Sequence, residues 1–435
     1  MSFKHILPAA LAALFLLSAC EGLGGGSFTY KMDGVEITEG STVDLQIGQF
    51  IDIYAYPEDG SEPHRLVAWT SEDPSVAASL SGGLIGVHGG ETSATAHIEG
   101  TEKTVTMKVR VPKTPHGDIY VSIDSDEDGK PAFFVNGERT DEKWDILTQD
   151  EQGNIFQGVI SGSLTVKMNG NTVVEGHTIP GTLANYKAKG GKLYMVSNVS
   201  DAQAHWCIIS SAGVVREGDL DTTHNEWDSG AGAVNAMDEA PDGTLVFWGR
   251  IWNPENKWVT YAHIWKLLTD GSVTARMHYR DGWDLMRPSY DAGIDSEGNH
   301  IVLIRDFDLG DFEIWKNETM LYRPTENAHI ANWGRSGKMV LCGTDIWFGC
   351  CEITRQGDEW WDMTSALTVF KNGKKQFAAV TVEDSLGGMD ICITPSGDVY
   401  TVTITYGALI CKNGNPVLFI PEFNLVNPSL AVREL

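Results

Sequence analysis

The stretch Met389-Asp390-Ile391-Cys392-Ile393-Thr394-Pro395-Ser396-Gly397-Asp398-Val399-Tyr400-Thr401-Val402-Thr403-Ile404-Thr405 decides the fold, together with its continuation through Ala408-Leu409-Ile410-Cys411-Lys412-Asn413-Gly414 and Pro416 to Ile420. Short apolar runs rich in β-branched residues are broken by turn residues at Gly397 and at Asn413-Gly414. They predict four antiparallel strands, over Met389 to Thr394, Asp398 to Thr405, Ala408 to Lys412 and Pro416 to Ile420. Asn-Gly is the pair a type I′ hairpin selects, because both central residues of that turn need positive φ.

Working outward, the pattern recurs. A glycine followed by an aliphatic and aromatic run occurs at Gly117-Asp118-Ile119-Tyr120-Val121, Gly153-Asn154-Ile155-Phe156, Gly191-Lys192-Leu193-Tyr194-Met195, Gly243-Thr244-Leu245-Val246-Phe247, Gly298-Asn299-His300-Ile301-Val302, Gly337-Lys338-Met339-Val340-Leu341 and Gly397-Asp398-Val399-Tyr400-Thr401. In most modules a second run stops at Asn136-Gly137, Asn169-Gly170, Asn317, Asn372-Gly373 or Asn413-Gly414. Four strands per module, at spacings near the ~40 to 50 residues of a propeller blade, predict a seven-bladed β-propeller over 113–435. The aromatic-Lys-Asn-Gly ending resembles propeller-like repeats of exported bacterial proteins, and that resemblance implies an architecture without an activity. Modules three and four lack a clean Asn-Gly, so their third strands are less sharply marked. The first module has no first strand of its own. Ser429 to Arg433, left over after the seventh module, is expected to supply it and close the ring, removing an open edge.

Residues 28–112 alternate with period two in Thr42-Val43-Asp44-Leu45, Ile51 to Tyr56, Thr95 to Ile98 and Thr104 to Val111, as half-buried strands do. The segments Ala68-Trp69-Thr70-Ser71-Glu72-Asp73-Pro74-Ser75-Val76-Ala77, Gly83-Leu84-Ile85-Gly86-Val87 and Gly90 to Ala96 resemble the group 2 bacterial immunoglobulin-like domain. The resemblance implies an immunoglobulin-like β-sandwich with Trp69 and Val76 in its core and Gly83 and Gly90 at turns, serving as a spacer or, alternatively, as an adhesive face. The fold class is therefore all-β, an immunoglobulin-like β-sandwich followed by the propeller.

Residues 1–20 open with Lys4 and His5, run apolar from Ile6 to Leu17 and end in Leu17-Ser18-Ala19-Cys20. The apolar run is shorter than the ~18 to 20 residues of a spanning helix, so it reads as an export signal. Leu17 to Cys20 resembles the lipobox of bacterial lipoproteins, which implies cleavage before Cys20, lipid on that cysteine and a place in the cell envelope at the outer membrane, on either side of it. Glycine-rich residues 21–27 read as a tether.

The formal net charge of −27 excludes nucleic acid as a partner, since phosphate binding needs a basic face. Besides Cys20 there are Cys207, Cys342, Cys350, Cys351, Cys392 and Cys411, most of which read as buried free thiols, with Cys342 and Cys350 a pairing alternative across a hairpin. The vicinal pair Cys350 and Cys351 should point to opposite faces of a strand.

Loops from each fourth strand to the next first strand open on one face, and Trp144-Asp145, Trp227-Asp228 and Trp283-Asp284 lie in three of them. Asp291 and Asp390 stand seven residues before Gly298 and Gly397, at the start of first strands. Indoles beside carboxylates suit a sugar or a cationic peptide, and the alternative is tryptophans packing between blades with aspartates capping turns. Long inserts at Arg250 to Trp258 and Glu359 to Asp362 have the same two readings. Asp124, Asp126 and Asp128 have D-x-D-x-D-G spacing, which suits calcium, but Val135 stands where an EF-hand has its glutamate; a solvated turn is the other reading. No other cofactor is expected. No short enzyme motif is present. These features point to a non-enzymatic, lipid-anchored binding protein holding a glycan or protein partner. The alternatives are a propeller glycosidase or lyase, for which His329 and Asp390 are the candidate pair, and a structural subunit of an envelope assembly.

Overall fold

The computed structural model describes residues 28–434 except 33, 81, 126–129, 224–231, 253–259, 278–288, 306–311, 318, 324–336, 357–362, 383–387, 406 and 423–424. Every regular element among them is a β-strand, and the chain divides into two compact units.

The first unit is built on two sheets. One has seven strands, including Ile53–Pro57, His64–Ser71 and Thr104–Val111, and the other has Phe50–Ile51, Ala77–Leu80 and Gly83–Gly86. Thr104–Val111 alternates exposed and buried at every residue, so Val105, Met107, Val109 and Val111 all enter the core. Trp69 and Val76 are buried there too, at 5% and 6% exposure. Thr42–Asp44 pairs parallel to Thr104–Val111, with Val43 opposite Val109.

The second unit contains seven four-stranded antiparallel sheets. Their inner strands are Val426–Arg433, Ile146–Gln149, Thr182–Lys189, Gly232–Glu239, Ser289–Ile294, Gly337–Cys342 and Met389–Ile393, and each touches the next in turn until Met389–Ile393 meets Val426–Arg433. This is the radial arrangement of a β-propeller. The last strand closes it. Val426–Arg433 runs antiparallel to Asp118–Ser125, pairing Arg433 with Asp118 and Leu430 with Val121, as the missing first strand of the first module required.

A hydrogen-bond pair explains why the two halves of the repeat occur together. At five turns an asparagine adopts positive φ, between 48° and 53°, at Asn136, Asn169, Asn317, Asn372 and Asn413. Gly137, Gly170, Gly373 and Gly414 follow four of them, also at positive φ, which completes the type I′ turn. Each asparagine then reaches back across the sheet. The Asn136 Oδ1 accepts from Ile119 N–H at 2.8 Å and its Nδ2 donates to Asp118 Oδ1 at 3.1 Å. Asn413 does the same with Val399 N–H and Asp398, at 2.9 and 2.7 Å. The acidic or amide residue that opens the second strand and the asparagine that ends the third are two ends of one bracket.

One expectation is corrected, and of the two readings of Cys342 and Cys350 the free thiols hold. Gly337-Lys338-Met339-Val340-Leu341 is the inner strand of its sheet, and the second strand starts at Asp345, whose carboxylate accepts from Asn372 Nδ2 at 2.9 Å. The turn glycine of that module is thus Gly343, at φ 63°. Cys342 and Cys350 are both free thiols, and Cys350 lies opposite Gly337 while Cys342 lies opposite Asp345, so no bond joins them. Cys350 and Cys351 do enter different core clusters on the two faces of their strand.

Between sheets the core is large and aromatic. Trp248, Trp265, Phe247, Phe312, Phe348 and Phe419 are fully buried. The two modules without Asn-Gly still form complete sheets, with third strands Gln203–Ser210 and Thr260–Leu267.

Candidate functional site

The inner strands surround an axial cavity of about 80 Å³ to which all seven contribute. A strand facing the axis offers it every second side chain. In Thr182–Lys189 that places Lys187 and Lys189 on one side of the strand, and both line the cavity.

The two lysines meet one carboxylate. Asp238 is fully buried and receives Lys187 Nζ at 2.7 Å and Lys189 Nζ at 3.1 Å, as well as Ile294 N–H at 2.8 Å. Burial alone would raise its pKa, but the two ammonium groups and the backbone donor outweigh that and hold it below the ordinary carboxylate range. Burial works the other way on Lys189, whose pKa is lowered despite the attraction of Asp238. The lysines also donate to the backbone oxygens of Ala292 and Ile294, at 3.2 and 2.8 Å. A glycine makes room for this. A Cβ at Gly293 would stand 2.3 Å from Lys187 Nζ and 2.9 Å from Leu341 Cδ1.

Asp291 and Asp390 line the same cavity, yet their carboxylates are engaged by the fold. Asp291 accepts from Ala292 N–H at 2.9 Å and from Met339 N–H of the next inner strand at 3.2 Å. Asp390 accepts from Ile391 N–H and from Leu430 N–H of the next inner strand, both at 2.9 Å. Asp238 repeats the geometry with Glu239 and Ile294. These aspartates are clamps from one inner strand to its neighbour, each satisfying backbone donors that would otherwise be buried without a partner. The convergence expected of Asp291 and Asp390 on the axis is present, but a ligand would have to compete with backbone N–H groups for them.

What the cavity leaves available is different. Lys338 lines it and is half-buried, and its amine makes no hydrogen bond or ion pair among the described residues. Tyr186 reaches across to the closing strand, its hydroxyl 3.4 Å from Ser429 Oγ. Glu151, at the rim, accepts from Gly190 N–H at 3.1 Å. Sequence reasoning missed the lysines and Tyr186. The alternation in Tyr186-Lys187-Ala188-Lys189 was visible, but nothing in the sequence marked that strand as innermost.

The other expected site residues fare variously. Trp144 is a correction, because it is only 4% exposed and packs edge-on against Tyr120 and Phe133, with ring centroids 6.0 and 5.7 Å away. It fills the space between the first two sheets and offers no stacking surface. Asp145 is exposed and accepts from Ile160 N–H at 2.5 Å, which pins the entry to its strand. Asp124 is exposed. Cys20, Trp227, Asp228, Trp283, Asp284, Asp126, Asp128 and His329 lie outside the described residues, as does most of the two long inserts.

No protein-family model and no curated protein matches the chain. Several solved structures are similar to it. A Bacteroides caccae protein of unknown function is 10% identical, with 60% of this chain and 93% of that one covered and a TM-score of 0.37. A quinonprotein alcohol dehydrogenase-like protein of Bacteroides thetaiotaomicron is 10% identical over 91% of this chain and 95% of its own, with a TM-score of 0.36. The β-propeller domain of the trilobed protease of Pyrococcus furiosus is 8% identical over 78% and 94%, with a TM-score of 0.40. No residue role is carried over from them.

Proposed function

We propose that this chain is a lipid-anchored binding protein of the bacterial cell envelope, held at the outer membrane through Cys20. In this reading an immunoglobulin-like β-sandwich acts as spacer for a seven-bladed β-propeller, which recognises a glycan or a protein partner without chemical turnover.

The observation that carries the reading is the state of the axial cavity. Its carboxylates at the buried Asp238 and Asp390 and the half-buried Asp291 are already occupied by lysines and backbone N–H groups. A general acid-base pair needs a carboxyl group free to exchange a proton with substrate, and these three are not. The cavity also presents the Lys338 amine, the Tyr186 and Ser429 hydroxyls, which meet each other, and the rim carboxylate of Glu151, which holds Gly190 N–H. They suit recognition of a hydroxyl-rich or carboxylate-bearing group by hydrogen bonding, in a space that admits one small group and not a long chain.

The test is a glycan array with the full chain, followed by a reducing-sugar assay on every hit. Binding without turnover, weakened at least tenfold by Lys338→Ala, supports the reading. Release of reducing ends would overturn it in favour of a carbohydrate-active enzyme. Metabolic labelling with a radioactive fatty acid tests the anchor, and label retained by Cys20→Ala would remove it.

A further inference from the structure

Away from the axis, at the outer rim where the second and third sheets meet, three side chains converge. His177 ends the outermost strand of the second sheet, His205 lies on the third strand of the third sheet, and Glu217 on its outermost strand. Their potential ligand atoms all lie within 4.8 Å of one another. His177 Nε2 is 3.1 Å and His205 Nε2 is 4.0 Å from the same atom, Glu217 Oε2. We propose that His177, His205 and Glu217 form a binding site for a first-row divalent transition metal, with zinc the best match.

The tautomer of His205 carries the argument. Its Nδ1 is 2.9 Å from Asp219 Oδ1, the residue directly opposite it in the sheet. An ionised carboxylate only accepts, so Nδ1 carries the proton and, in the neutral ring, Nε2 presents a lone pair. Glu217 and His177 Nε2 gather near that nitrogen, all three ligand atoms lying within 4.8 Å of one another. Both Nε2 atoms are shut off from solvent, and neither has a hydrogen-bond partner. The side chains of His177 and His205 are 20% and 11% exposed, whereas Glu217 is 48% exposed and leaves the site an entry path. His177 Nε2 pairs with Glu217 when that nitrogen carries a proton; with both Nε2 atoms unprotonated, two nitrogens and a carboxylate oxygen offer three lone-pair donors that a cation would draw together.

The spacing fits. Tetrahedral zinc with bonds of about 2.0 to 2.1 Å puts neighbouring ligand atoms about 3.3 Å apart, and 3.1 and 4.0 Å lie on either side of that. Two imidazoles and one carboxylate suit zinc, while calcium and magnesium favour oxygen-only sets. Asp219 orients a metal-binding imidazole through its other nitrogen, a standard outer partner. Cys207 is buried two residues along the strand from His205, and its Sγ is not among the ligand atoms gathered within 4.8 Å. The three ligands come from two sheets, so a bound ion would tie one blade to the next.

Equilibrium dialysis of the full chain against micromolar zinc tests this, with cobalt as a coloured reporter. The expected result is one tightly held equivalent, a visible cobalt absorption of low-coordinate type, and a zinc-dependent rise in melting temperature. Glu217→Gln and His177→Gln/His205→Gln should each weaken zinc at least tenfold, and Asp219→Asn by about 10- to 100-fold. Glu217→Gln changes a half-exposed side chain, so its melting temperature in chelator should match the parent and separate loss of metal from loss of fold. Zinc uptake that is the same in the double histidine variant, or absent from the parent chain, would overturn the proposal.

Discussion

The carboxylate of Asp390 accepts the backbone N–H of Leu430 at 2.9 Å. Asp390 lies on the inner strand of the last sheet and Leu430 on the strand that completes the first, so this bond spans the seam of the ring. Asp390 also holds Ile391 N–H. Asp390→Ala would leave two buried donors without these acceptors, at about 1–3 kcal/mol each. A drop in unfolding free energy of about 2 to 6 kcal/mol is expected by denaturant titration, against no change for Asp124→Ala on the exposed surface. Truncation after Pro421 removes the whole closing strand, and loss of the cooperative melt is the expected result.

The turn asparagines give a second test. Asn413→Ala removes two hydrogen bonds to Val399 and Asp398 and forces a Cβ residue without that support into the left-handed region at φ 50°. The two effects together cost about 2 to 4 kcal/mol. Asn413→Gly relieves the φ strain while losing the same side-chain bonds, so it should recover part of the loss. Equal stability for all three chains would refute the bracket.

Acid should unlock the centre. The folded-state pKa of Asp238 is depressed, because its lysines and Ile294 N–H outweigh burial. Its contribution to stability is therefore fully present above the ordinary carboxylate range and is lost as pH falls through the depressed value. A stability-versus-pH curve should fall on its acid side, and Asp238→Asn, already without the charge, should flatten that limb while being less stable at neutral pH. An unchanged acid limb in Asp238→Asn would contradict the assignment.

Thiol chemistry separates free cysteines from a disulfide. Burial raises the thiols of Cys351 and Cys411 to about 12 and of Cys342 to about 11, and Cys350 is raised well above its ordinary value. Native protein should react slowly with Ellman's reagent, starting at the partly exposed Cys342. In denaturant without reductant Cys342 and Cys350 should both titrate. If that pair were silent, the free-thiol assignment would fail.

Trp144→Ala should behave as a core truncation. The side chain is packed against Tyr120 and Phe133, so a loss of about 3–5 kcal/mol is expected. Under the proposed function, any glycan binding measured well below its melting temperature should be unaltered. A selective loss of binding in a stably folded variant would return Trp144 to the ligand surface.

Much of the fold was legible because its signals are local. Asn-Gly needs positive φ whatever surrounds it, so the hairpin at Asn413-Gly414 could be read from two letters, and the strand limits of the last module followed within a residue or so. Gly337 misled for the same reason: a glycine before an apolar run marks a second strand in six modules, and only the partner of Asn372 reveals that Asp345 fills that position. The site was less legible because it is radial. Lys187, Asp238 and Gly293 belong to three different sheets, and His177, His205 and Glu217 to two, so no spacing along the chain relates them. Asp291 and Asp390 line the axial cavity, but their backbone partners are not legible, since a carboxylate facing the axis looks the same in sequence whether it meets a ligand or a neighbouring backbone.

The pairing of Asp118–Ser125 with Val426–Arg433 also sets an order of events during biosynthesis. The first blade is made early, but its inner neighbour follows roughly 300 residues later, a delay of about 15 to 60 s at 5–20 residues per second. Until then the nascent ring is an arc with two raw ends. The chain cannot lock into its final shape before this closing strand has cleared the ribosome, so the propeller is completed only after its other strands have been made.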